Sequence, residues 1–449
     1  MVHLSGRSAR CSLGGAVSGL ALLAMAFAMV VGVPASAVAA PAPNPRGVKV
    51  VAGIHDTAVN DCNGGGTLQL KAPSVSLLTS KQVAAAGASV NSRLFPRGVS
   101  TVRVTMPWDV ADPGVVDGSV SADKTKDKQT LNGTRACLDA WLKAVFAHHL
   151  QPEIDFRSDT NFANANHQVR MPTMQRYTRA MTAFRNAYIT CASRCADGGQ
   201  VRVIAPWNEP DNQGGNKIGS TYDVLLPDGH THLAGKICPA NPTAANCGAV
   251  RAAQMWVTDY QVVVQGGCPG CLVVAGDFSG GYGFLGIHGG ACPKGCKYLF
   301  LYNKNLVTSA GQRLQPTRWA VHPYFDTENF QAGTPKNPTR LSDFANKLHL
   351  YGYRKGTFIW LNEVSVCDTP GPATCAKKIV NGKVAAMRYL VGSAGTDLTM
   401  SVSPNGPQVG RIDYYCFSGA QRACSPDWAL VNNGTVSPAG HTYFNWANG

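Results

Sequence analysis

Charge is scarce in this chain. Asp, Glu, Lys and Arg together make up 15% of its 449 residues, while apolar residues reach 45%, so the core can be large. The rarer sign is negative, with 26 acidic against 40 basic side chains and a net charge of +14. No Gly-x-Gly-x-x-Gly opens a helix after an early strand, which counts against a doubly wound dinucleotide-binding sheet. No Gly-x-Ser-x-Gly elbow is present, which sets aside a serine esterase. Internal repeats at a short fixed period are absent. The basic residues are dispersed rather than clustered, so no nucleic-acid partner is expected.

Residues 1–40 read as a signal peptide. Arg7 and Arg10 make a positive start, Leu13 to Val33 is almost wholly apolar, and Ala35-Ser36-Ala37 and Val38-Ala39-Ala40 offer small-residue cleavage sites. No cysteine sits where a lipid anchor would need one, because Cys11 precedes the apolar run. The competing reading is an uncleaved membrane anchor, since the run is about as long as a transmembrane helix. Residues 41–47 read as a short Pro-rich spacer and 48–449 as the functional domain. Export implies a secreted, extracellular protein with no stable membrane association. Losing Arg7 and Arg10 takes the net charge from +14 to +12, a balance compatible with an acidic polysaccharide or anionic cell wall.

Fifteen cysteines become fourteen once Cys11 is removed. Most fall in close pairs: Cys191 and Cys195, Cys238 and Cys247, Cys268 and Cys271, Cys292 and Cys296, Cys367 and Cys375, Cys416 and Cys424. Cys62 and Cys137 remain for each other. In an exported chain this reads as disulfide staples on loops, although sequence does not fix connectivity. The pairs share no spacing and lack histidines at ligand intervals, which argues against zinc. A redox Cys268-Pro-Gly-Cys271 is disfavoured because the motif precedes a strand rather than opening a helix.

Eight short β-type runs recur: Val48 to Ile54, Thr101 to Pro107, Gln151 to Phe156, Arg202 to Pro206, Leu272 to Asp277, Arg318 to His322, Thr357 to Leu361 and Arg411 to Phe417. Helical patterns separate many of them. Leu138, Leu142, Val145 and Phe146, for example, repeat at i, i+4, i+7 and i+8. Strand then helix, eight times over, predicts an α/β fold, a parallel (β/α)8 barrel of the TIM type, in one domain with disulfide-stapled loops. Long connections, Asn212 to Cys247 and Ser279 to Cys296, are expected to line its mouth.

Two glutamates close two of these runs. Glu209 stands in Trp207-Asn208-Glu209-Pro210 after the fourth, and Glu363 ends Phe358-Ile359-Trp360-Leu361-Asn362-Glu363 at the seventh. They lie 154 residues apart (363 − 209), so only a closed barrel can bring them together. Glycosidic hydrolysis needs such a pair: one carboxylic acid donates to the leaving oxygen and one carboxylate attacks the sugar carbon. A separation of about 5 to 5.5 Å means a retaining, double-displacement mechanism.

Trp207-Asn208-Glu209-Pro210 resembles the Asn-Glu-Pro signature of clan A glycoside hydrolases. That resemblance implies a retaining enzyme on a (β/α)8 barrel, with Glu209 as acid/base and Glu363 as nucleophile. It further implies that Asn208 binds the sugar 2-hydroxyl, that Arg103 lies beneath the nucleophile, and that His322 and Tyr324 of His322-Pro323-Tyr324 surround that carboxylate. Asn362 and Val364-Ser365-Val366 around Glu363 depart from the common strand-seven forms, so the individual family is not resolved. Arg103 and the Tyr324 hydroxyl would favour ionised Glu363.

Aromatic residues gather at strand ends, and sugars stack on such rings. Trp207 and Trp108 are the expected platforms, whereas Trp360, of opposite strand parity to Glu363, is expected to face the helices. Asp109, and Asp155 with Arg157, are weaker candidates for binding hydroxyls. His230-Thr231-His232 invites a metal reading but lies in a loop, and the first strand offers His55-Asp56 instead. The expectation is a secreted, monomeric retaining glycoside hydrolase acting on a β-linked polysaccharide or oligosaccharide, with no cofactor and no metal. A non-catalytic carbohydrate-binding protein on the same barrel is the alternative.

Overall fold

The computed structural model describes residues 50–56, 98–112, 135–157 (save 136, 137, 140 and 144), 170–190, 199–211, 223–225, 231–233, 247–280, 298–370 (save 337), 376–392 (save 377), 398–416 and 427–448 (save 433 and 434). The expected signal and spacer, most of both long connections, and the ring of His230 lie outside these residues, as does the side chain of His232.

Eight parallel strands carry the fold: β1 Val51–His55, β2 Val99–Pro107, β3 Gln151–Arg157, β4 Val203–Ala205, β5 Leu272–Val273 with Ala275–Phe278, β6 Arg318–Val321, β7 Phe358–Val364 and β8 Gln408–Tyr415. The hydrogen-bonded order runs from the first half of β5 through β4, β3, β2, β1, β8, β7 and β6 to the second half of β5. Both edges of the sheet are therefore one chain segment, interrupted at Val274, and the sheet is a closed barrel. Each of the eight predicted runs overlaps one strand.

Helices pack outside. They are α1 Met174–Phe184, α2 Gly248–Asp259, α3 Tyr298–Lys304, α4 Tyr324–Gln331, α5 Arg340–Leu350, α6 Lys383–Val391 and α7 Pro438–Asn448, with further helical positions between 135 and 147. Thr173 and Thr339 cap α1 and α5 by accepting from the backbone amides of Arg176 and Ser342. No described helix is long and apolar enough to cross a membrane.

Alternation divides each strand between two environments. On β2, Val102, Val104 and Met106 join the core with Leu138, Trp141 and Val145 of the helical layer. Arg103 points the other way and meets side chains from β1, β3, β5 and β7. Only a residue inside the barrel can touch all four. A small apolar cluster of Val203, Ala205, Val274, Ala320 and Trp360 also fills the interior. Gly53 is required there, because a Cβ would lie 1.7 Å from Asp413 Oδ1.

Trp360 corrects the parity expectation. It faces inward, with the Arg411 guanidinium 4.6 Å from its ring centroid. The pairing of β7 with β8 slips between Leu361 and Val364. Asn362 and Glu363 consequently both enter the barrel: Asn362 donates to Glu153 Oε1 at 2.7 Å and Glu363 meets Arg103 at 3.1 Å. A bulge breaks the two-residue period on which the expectation rested.

Cys268 and Cys271 form a disulfide just before β5. Cys247, Cys367 and Cys416 are disulfide-bonded too; their expected partners Cys238, Cys375 and Cys424 lie outside the described residues, as do Cys62, Cys137, Cys191, Cys195, Cys292 and Cys296.

Candidate active site

The exit of β4 is stitched to the strands on either side. The Asn208 amide donates to the Phe156 carbonyl at 2.7 Å, and the Glu209 amide donates to the Asp277 carbonyl at 2.9 Å. Glu209 and Asp277 both hold left-handed backbone, with φ of 49° and 55°. Such conformations cost non-glycine residues on the order of 1–3 kcal/mol and cluster at functional sites. Here they turn two carboxylates from neighbouring strands into one cavity.

Arg103, fully buried, is the centre of this cavity's floor. One terminal nitrogen donates to Glu363 Oε2 at 3.1 Å and to His55 Nδ1 at 2.8 Å. The other donates to Asn208 Oδ1 and Asp277 Oδ2, each at 2.7 Å, and to Asp155. A guanidinium can only donate. His55 Nδ1 must therefore accept, which places the proton of the neutral ring on Nε2. Burial and the adjacent Arg103 lower the His55 pKa to about 4, with Glu363 opposing them.

Glu363 is built to stay ionised. Burial pushes its pKa up, but His322 and Arg103 outweigh burial and hold the carboxyl well below the usual carboxylate range. The Tyr324 hydroxyl donates to Oε1 at 2.8 Å. Glu209 has a different setting, with His322 Nδ1 2.9 Å from its Oε1. The other His322 nitrogen lies 3.1 Å from Asp277 Oδ1. Burial lowers the His322 pKa, yet Asp277, Glu363 and the bond to Glu209 raise it well above the ordinary value, which favours the imidazolium.

Oxygens of Glu209 and Glu363 and a ring nitrogen of His322 all lie within 4.8 Å of one another. The Glu209 and Glu363 side chains remain 16% and 13% exposed, whereas Arg103, Asp155, Asp277 and His322 are sealed. Only the two glutamates of this cluster open to a ligand. Beneath them burial and Asp277 push the Asp155 pKa up, with Arg103 opposing. Burial also raises Asp277, but Arg103 and His322 overcome it and keep this acid ionised.

The structure thus gathers Glu209, Glu363, Asn208, Arg103, His322 and Tyr324 as the sequence suggested. Trp207 and Trp108 go elsewhere. They are 2% and 5% exposed and belong to the hydrophobic core, with Trp108 packed near Tyr177 at 6.3 Å. That placement does not fit the stacking platform expected of them. Asp109 is likewise buried. Sequence reasoning missed Asp277 as a site residue and took His55 only as a weak metal candidate. It also passed over Tyr415, whose ring lies 5.1 Å from His55, 6.4 Å from Tyr324 and 6.2 Å from Trp428. Their signal was position: His55, Asp277 and Tyr415 stand at or near strand ends, as Glu209 and Glu363 do.

No family model and no curated protein matches the chain. Among solved structures it is similar to one of two fungal β-1,4-galactanases, at 15% identity and TM-score 0.48, covering 88% of this chain and 98% of that one. A glycoside hydrolase family 5 enzyme from Prevotella bryantii B14, in complex with a xyloglucan tetradecasaccharide, is similar at 12% identity and TM-score 0.42, covering 88% and 96%. An exo-β-1,4-mannosidase from Opitutaceae bacterium strain TAV5 is similar at 13% identity and TM-score 0.42; the match covers 91% of this chain and 61% of that one. Likenesses this distant assign neither a family nor residue roles.

Proposed function

We propose that the chain is an exported retaining glycoside hydrolase that cleaves β-linked polysaccharide or oligosaccharide. The observation carrying this reading is the meeting of Glu209 and Glu363 oxygens within 4.8 Å, on the short side of the roughly 5–5.5 Å of retaining pairs and well short of the roughly 6.5–9.5 Å that inverting pairs need for a water. The reading makes the protein a secreted monomer with no cofactor and no nucleic-acid partner.

In the first step the Glu209 carboxylic acid gives its proton to the glycosidic oxygen. The bond from that oxygen to the anomeric carbon breaks, and a Glu363 oxygen bonds to the same carbon as an ester. In the second step water attacks the anomeric carbon, gives its proton to the Glu209 carboxylate, and the ester bond breaks. Configuration is retained and both glutamates return to their starting forms. Arg103, Tyr324 and His322 hold negative charge on Glu363 before attack and accept it again on release. Esterification removes that charge, leaving one fewer anion beside Glu209 when it takes the proton from water. Asn208, fixed by Arg103, is placed to bind the sugar 2-hydroxyl.

The Glu209, His322 and Glu363 atoms could also be read as metal ligands. Both ring nitrogens of His322 are already engaged by carboxyl oxygens, Glu209 at 2.9 Å and Asp277 at 3.1 Å, which a metal would have to displace. The hydrolase reading is therefore preferred. Its test is Glu363→Gly on a polysaccharide panel that includes uronic-acid-bearing glycans. The variant is expected to lose turnover and regain it with azide, giving a glycosyl azide of inverted configuration. A glycosyl azide of inverted configuration formed instead by Glu209→Gly would exchange the roles. Binding without cleavage by the wild type across the panel would replace the enzyme with a lectin.

A further inference from the structure

We propose that Asp277 is a positioning residue that couples the two catalytic glutamates. Three contacts of this one residue carry the inference. Its carbonyl accepts the Glu209 amide at 2.9 Å, fixing the backbone of the acid. Its Oδ1 lies 3.1 Å from His322 Nε2, and the far nitrogen of that ring is 2.9 Å from Glu209 and 3.9 Å from Glu363. Its Oδ2 accepts from Arg103 at 2.7 Å, and Arg103 reaches Glu363 at 3.1 Å. Asp277 thus fixes the backbone of the acid through its carbonyl, while its buried carboxylate reaches the side chains of both glutamates through two cations. The left-handed φ of 55° makes this reach possible from β5.

The groups facing His322 are Glu209 from the β4 exit, Asp277 from β5, Glu363 from β7 and the Tyr324 ring at 6.2 Å. His55 from β1 acts on it at longer range, and Arg103 from β2 shares Asp277 with it. His55 is neutral over the working range, and Arg103 is a fixed cation. Asp277 bonds the imidazole directly and does not face the cavity opening, so it can hold the ring's orientation and charge while Glu209 and Glu363 change theirs during turnover. Neutralising it leaves two buried cations, Arg103 and His322, with Glu363 as their one remaining shared counter-charge. His322 then gives up its proton more readily, and the ring is free to turn from Glu209.

The rate consequence rests on the hydrolase reading; the ionisation consequence does not. Asp277→Asn is isosteric and is expected to lower kcat by about 10²-fold with KM changed little, as misplacement of a catalytic group does. The pH profile of kcat should change shape as well as height, which a merely structural loss would not produce. Ring NMR of histidine-labelled protein, with His322 assigned by its loss in His322→Gln, supplies the independent readout. In the wild type the His322 midpoint should lie above the ordinary histidine midpoint, and in Asp277→Asn it should move back down towards it. A wild-type His322 that is neutral at pH 7 overturns the proposal, and this measurement stands even if the variant does not fold. Unchanged titration and an unchanged pH profile in a folded variant overturn it too. Absence of glycan cleavage by the wild type, with the His322 titration as expected, sinks the hydrolase reading and leaves the coupling intact.

Discussion

Tyr324→Phe isolates one of the forces that keep Glu363 ionised. The substitution removes a single hydroxyl, 2.8 Å from Glu363 Oε1. The ring stays to pack edge-on against His322 at 6.2 Å and Tyr415 at 6.4 Å. A hydrogen bond to a charged group contributes about 1.5–3 kcal/mol, and one pH unit corresponds to about 1.36 kcal/mol. The Glu363 pKa should therefore rise by roughly 1–2 units. The donor favours the ionised form, so its loss moves the acid limb of kcat/KM towards higher pH. Stability follows the same sign. A carboxylate with a lowered folded pKa adds stability that is present above its unfolded value and lost as pH falls through its folded value. In the variant that contribution is smaller, and its loss is complete at a higher pH. The assay is a kcat/KM profile carried from pH 8 down to the acid limit of the fold, beside denaturant unfolding over the same range. An acid limb that stays put, or moves to lower pH, would refute the view that Tyr324 supports the charge on Glu363.

Two further substitutions probe the barrel interior. Gly53→Ala pushes a methyl against Asp413, already bound to Arg411 at 2.8 Å and sealed from solvent; denaturant unfolding should show a loss of about 1–3 kcal/mol, and an unchanged midpoint would contradict the close approach. Asp413 itself is pushed up to about 7 by burial, with Arg411 opposing and Glu153 adding to the rise. A raised carboxyl adds stability at low pH that is lost as pH climbs from its unfolded value, near 4, to its folded value. Asp413→Asn should accordingly flatten the fall in stability between about pH 4 and 7; an unaltered slope in that window would show that Asp413 is not the group responsible.

Much of the barrel was legible because parallel strands covered on both faces read as short continuous apolar runs, and each run here overlaps a strand. The β4 exit was legible because Asn208-Glu209-Pro210 is compact and local. What escaped was conformation rather than composition. Glu363 reaches the cavity through a slip in β7 that alternation does not encode, and the same slip turned the expectation for Trp360 inside out. Asp277 stood in view at the end of its run, but its left-handed turn depends on the bond to the Glu209 amide from another strand. Trp207 and Trp108 show the opposite failure: an aromatic beside a catalytic residue in sequence served the core rather than the ligand.

The sheet closes on β5, and the carboxylate that couples the site sits on that same seam. Side chains from all eight strands then meet in one place: His55, Arg103, Asp155, Glu209, Asp277, His322, Glu363 and Tyr415. No half of the polypeptide owns a working centre. On the proposed hydrolase reading, the chemistry can switch on during synthesis only after the last staves are in place, and a truncated product would be silent towards sugar. Two complementary fragments, mixed in a tube, would announce their reassembly by the return of turnover.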